Sequence, residues 1–88
     1  MNIKMRAALK AGIEEYSGFI VESMQVHLDP QVPGTYAIRT RYRGEKEYYD
    51  WMITRYFSVL SANEISNKLE ECEYASWPPV SGSLKFFL

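Results

Sequence analysis

The stretch TYAIRTRYR, Thr35 to Arg43, decides how the chain is read. Tyr36, Ile38, Thr40 and Tyr42 alternate with Ala37, Arg39, Arg41 and Arg43, a period of two that belongs to a β-strand with one mostly apolar and one cationic face. Upstream, Asp29-Pro30 and Pro33-Gly34 mark a long hairpin connection, because proline fixes φ and glycine accepts positive φ. Before it, residues 19–28 (FIVESMQVHL) alternate with Ile20, Met24, Val26 and Leu28 on one face, and Glu22 breaks that face. Downstream, Arg43-Gly44-Glu45-Lys46 makes a short polar turn. The next run, EYYDWMITRYF (47–57), fits period two and period 3.6 alike, so strand and helix are both open for Tyr48 to Phe57. Its β-branched and aromatic content favours a strand over 47–57. Ser61-Ala62-Asn63-Glu64 is a capping-box pattern that starts a helix over 62–73.

At the N-terminus, Met5, Leu9, Ile13 and Tyr16 recur at spacings of four and three, which predicts an amphipathic helix over 3–16 with Gly18 as its left-handed cap. Trp77-Pro78-Pro79 ends helical structure, Ser81-Gly82-Ser83 loosens the chain, and LKFFL (84–88) has the makings of a last strand. The expected fold is α+β, in the order α-β-β-β-α(-β): a three- to four-stranded antiparallel meander with two helices on one face. The 88 residues leave room for one core, so a single domain spanning 1–88 is expected.

Composition restricts function more than it identifies it. A net charge of -1 gives no global attraction toward nucleic acid or anionic membranes. One Cys and one His exclude a thiolate or imidazole zinc site and a disulfide within the chain. The longest apolar runs are short, Phe19–Val21 and Trp51–Ile53 among them, and Lys10, Glu14 and Glu15 interrupt any export signal, so a cytoplasmic protein without membrane contact is expected. Cys72 lies among Glu70, Glu71 and Glu73, whose carboxylates disfavour a thiolate nucleophile. His27 has Asp29 as its nearest acidic partner, an arrangement suited to a pH-sensitive loop and not to catalysis. Gly12, Gly18, Gly34, Gly44 and Gly82 match no phosphate-binding spacing, and the pairs Glu14-Glu15 and Glu45-Glu47 read as solvated charges. The expectation is a protein that is not an enzyme and needs no cofactor or metal.

Binding is the better-supported class. Arg39, Arg41 and Arg43 share one strand face at ~7 Å intervals, comparable to the phosphate repeat of a nucleic-acid strand. Arg55, on the next strand, is expected to extend that ladder, and Glu47 and Asp50 to neutralise part of it. The ordinary alternative is a solvated face with cross-strand Arg–acid pairs. Of the seven tyrosines, Tyr36, Tyr42, Tyr48, Tyr49 and Tyr56 concentrate in the two central strands, with Tyr48 and Tyr49 facing opposite ways and Tyr49 counted among the binding residues. Glu64, Glu70, Glu71 and Glu73 give the second helix an acidic surface. The run GTYAIRTRYRGEKEYYDWMI, through Arg39, Arg41, Tyr42 and Gly44, resembles in outline the sheet of arm-type integrase DNA-binding modules, and the element order is similar to that of double-stranded-RNA-binding domains. Those resemblances imply a nucleic-acid-facing surface. The second helix, however, begins with Ser61 to Glu64 and not with cations, so no family residues are carried over. The leading expectation is a small protein-interaction module, for instance an inhibitor or phage-type anti-defence protein that covers a partner's surface. A nucleic-acid-binding domain using the arginine face is the alternative, and Leu84 to Leu88 could join two copies as a homodimer.

Overall fold

A computed structural model describes residues 1–28 and 34–72. Helix α1 (Ile3–Ser17) is followed by strands β1 (Val21–Leu28), β2 (Thr35–Tyr42) and β3 (Tyr49–Thr54), a 3-10 turn (Arg55–Val59), helix α2 (Ala62–Lys68) and a second 3-10 turn (Leu69–Cys72). The strands form an antiparallel meander in the order β1-β2-β3, so the chain is a small α+β domain. The fourth strand expected at 84–88 lies outside the described residues, as does Glu73.

Local chemistry explains where the elements begin and end. Asn2 caps α1 by accepting the Met5 N–H at 2.7 Å. Gly18, at φ 77, closes the helix by donating its N–H to the Glu14 carbonyl at 2.9 Å, a conformation a Cβ would penalise. Ser61 and Glu64 make the reciprocal capping box at the start of α2.

The third strand is shorter than the sequence suggests. Thr35 is the first residue of β2 and pairs with Thr54, so among the described residues the ladder between β2 and β3 ends at Thr54. The Arg55 N–H makes one last bond to the Gly34 carbonyl, and the chain then coils through Arg55–Val59 to bring Phe57 and Leu60 into the core. The coil ends at Leu60, which is extended, so it is separate from α2.

The phase of β1 also differs from the expected alternation. A register shift between Val21 and Ser23 leaves Glu22 as a bulge, which turns Val21 inward and leaves Ile20 half exposed. Val21, Met24, Ile38, Tyr42, Trp51 and Ile53 then join Met5, Leu9 and Ile13 of α1 and Ile65 and Leu69 from the second helical segment in one core. The two helices cross closely at Gly12, where a Cβ would stand 2.6 Å from Ile65 Cγ2. Along β1, α1 supplies side chains to the backbone: Glu14 accepts the Val21 N–H at 2.9 Å, and Arg6 donates to the Met24 carbonyl.

Candidate functional site

Alternation sends Ser23, Gln25 and His27 of β1, Ala37, Arg39 and Arg41 of β2, and Asp50 and Met52 of β3 to the face opposite the helices. This outer face carries the arginines singled out from the sequence, and each is engaged within the chain. Arg39 lies directly across from Asp50 and forms a two-pronged pair with it, Nε to Oδ1 and Nη2 to Oδ2, both at 2.9 Å. Its guanidinium also lies over the ring of Tyr48, 5.3 Å from the centroid. Arg41 donates to the Glu45 carbonyl at 3.2 Å, across the turn that Gly44 makes at φ 81. Arg43 donates to Glu22 at 3.3 Å, an exposed pair that solvent screens.

Arg55 does not extend this row. It sits on the exposed side of the 3-10 turn beside Gly34, at the Thr35 end of β2, about eight residues or ~26 Å along the strand from Arg43. Tyr49 stands on the core side, with its ring 5.2 Å from that of Tyr42 and its hydroxyl donating to Glu45 at 3.4 Å. Burial, and then the charges of Glu45 and Glu47, raise its hydroxyl pKa above the ordinary value. Tyr48 is therefore the tyrosine beside the arginines. The acidic set is divided too: Glu64 belongs to the capping box at the start of α2, where hydrogen bonds from Ser61 lower its carboxyl pKa, while Glu70 and Glu71 lie exposed on the second 3-10 turn.

Cys72 is buried and donates to the Lys68 carbonyl. Burial, with Glu71 adding to it, pushes its thiol up to about 11, the reverse of what a thiolate nucleophile requires. His27 is exposed on the outer face, and Asp29 lies outside the described residues. Among the described residues no three His, Cys, Asp or Glu side chains converge as metal ligands, and no helix is long and apolar enough to cross a membrane.

One feature of the surface escapes a reading by alternation. Phe19, 56% exposed, packs against Tyr42, which touches Tyr49, while Tyr16 meets Trp51 edge-on at 5.7 Å. Ile20, 50% exposed, adjoins Phe19, and its carbonyl accepts the Arg43 N–H. This aromatic corner exists because the bulge turns Ile20 outward, and Glu22 breaking the apolar face was its only trace in the sequence. No protein-family model matches the chain, and comparisons with curated proteins and with solved structures likewise return no match.

Proposed function

We propose that the protein is a non-enzymatic interaction module that docks on a protein partner through the β1–β2 half of its outer face and the adjoining Phe19–Ile20 corner. The observation that carries this reading is the engagement of Arg39, Arg41 and Arg43 by groups of the same chain. A phosphate-binding surface works by unneutralised charge, whereas protein interfaces draw on arginine and aromatic side chains held in fixed positions with little net charge. The Arg39–Asp50 pair beside Tyr48, with Phe19 close to Arg43 at the sheet end, offers that second composition. Such a module would act by occupying a partner's surface, as an inhibitor does, whether of phage or cellular origin. Affinity capture from the native host is the test: a partner held by the wild type should be lost with Phe19→Asp and with Arg41→Glu, and retained with Glu70→Gln. Equal retention by all three variants would refute this surface.

Nucleic-acid binding is the second reading, favoured by Arg41, whose hydrogen bond goes to a carbonyl and leaves its charge to act outward. It requires oligonucleotide affinity that falls steeply between about 50 and 200 mM salt, with a slope flattened by Arg41→Glu. No binding to DNA or RNA at low salt would eliminate it.

A further inference from the structure

Helix α1 carries two stripes of side chains. Met5, Leu9 and Ile13 face the core, while Ile3, Arg6, Ala7 and Lys10, at spacings of three and four, share a second stripe that stays exposed. Together with Val21, Glu22 and Met24 of the edge strand β1, that second stripe lines a groove of about 300 Å³. Ile3 is 88% exposed, the largest value among the described large apolar side chains. The groove is also cationic. Residues 1–13 hold Lys4, Arg6 and Lys10 and no carboxylate. Glu14 and Glu22, which adjoin the stripe, are already engaged, Glu14 by the Val21 N–H at 2.9 Å and Glu22 by Arg43 at 3.3 Å. Arg6 is fixed by the Met24 carbonyl, which leaves its charge unneutralised, and Lys10 has no ion pair among the described residues.

We propose that this groove docks an acidic amphipathic helix of a partner protein. An exposed isoleucine and unneutralised cations in one recess call for two things together, an apolar side chain and carboxylates. A nucleic-acid backbone supplies negative charge and leaves Ile3 and Ala7 in water. A helix is the form that fits, because Glu14 and Arg6 occupy the Val21 amide and the Met24 carbonyl that an added strand would bond. Arg6 and Lys10 stand four residues apart, ~6 Å along the axis of α1, so carboxylates one turn apart on the incoming helix can face both. The apolar stripe of that helix then lies on Ile3 and Ala7. The groove is separate from the outer-face surface proposed above, and each stands or falls without the other.

Fluorescence anisotropy with the full-length chain tests the proposal. The probes are a labelled helix-forming peptide with leucine on one face and glutamate flanking it, and the same peptide with glutamine in place of glutamate. The glutamate peptide should bind at about 50 mM salt, and the glutamine peptide about tenfold more weakly. Ile3→Ser and Lys10→Glu should each weaken the glutamate peptide about tenfold while melting stays close to wild type, since both side chains are exposed. Lys46→Glu makes the same charge change on the exposed β2–β3 connection and should leave binding nearly unchanged. Amide shifts on titration should gather in α1 and in Val21 to Met24. Absence of binding at low salt overturns the proposal, as does indifference to Ile3→Ser or an equal loss with Lys46→Glu. Tighter, Lys10-dependent binding to phosphatidylglycerol vesicles or to an oligonucleotide than to the glutamate peptide would also overturn it, making the groove a membrane or nucleic-acid surface.

Discussion

Ile38 and Arg39 are neighbours in β2 and occupy opposite worlds. Ile38 is sealed among α1, β1 and β3 side chains, where stability depends on filling space, and Arg39 lies half-exposed across from Asp50, where it depends on pairing. The inner face therefore tolerates no loss of volume. The outer face tolerates exchange wherever the partner charge is left content, and that freedom makes it the side on which a binding surface can be built.

Truncation separates the two faces most sharply. Ile38→Ala is expected to cost about 2–5 kcal/mol in denaturant melts, against less than about 1 kcal/mol for Arg43→Ala, whose pair with Glu22 is solvated. Comparable losses would erase the contrast between the faces. Overpacking probes the inner side from the other direction. Gly12→Ala places its Cβ 2.6 Å from Ile65 Cγ2 and 3.0 Å from the Ala62 carbonyl, so a loss of about 1–3 kcal/mol is expected. Adding Ile65→Ala, which removes the Cγ2 atom in the way, should give a double variant that loses less than the two single changes together.

Arg39→Ala is the outer-face substitution with the largest expected effect, about 1–3 kcal/mol, since it strands the buried Asp50 carboxylate. The double variant Arg39→Ala/Asp50→Ala should lose less than the two single changes together. Ser61→Ala, away from both faces, should cost about 1 kcal/mol by removing the α2 cap. The smallest effect is a pH dependence. Glu64 has a lowered folded-state pKa, so its contribution is complete above the ordinary value of 4.5 and fades as pH falls through the folded value. Glu64→Gln should flatten the acid limb of the stability curve, and an unchanged limb would show that the capping carboxylate is not linked to folding.

Much of this was legible because single residues carried strong local instructions. Strict alternation in Thr35 to Arg43 assigned both faces of β2, Gly18 ended α1, and Ser61 with Glu64 started α2. The end of β3 was not legible, since Ile53 to Phe57 is equally apolar as strand or coil, and what stops the ladder is the position of Thr35 on another strand. For the same reason Arg55 left the row in which it was expected. Tyr48 and Tyr49 were separable in principle by alternation, but which of them faced the arginines depended on register, and register is set across strands. The aromatic corner was hidden by one bulged residue, Glu22.

The two bonds from α1 to β1 have a consequence for the molecule among its own kind. An edge strand with vacant peptide groups invites another chain to zip onto it and begin a fibril. Here Glu14 occupies the Val21 amide and Arg6 the Met24 carbonyl, so an approaching strand meets a helix and two charged side chains where it would need free backbone. Removing both charges with Glu14→Ala/Arg6→Ala should leave the core in place and shorten the lag before aggregation at high concentration. The first helix thereby serves as a guard against polymerisation as well as a lid on the core.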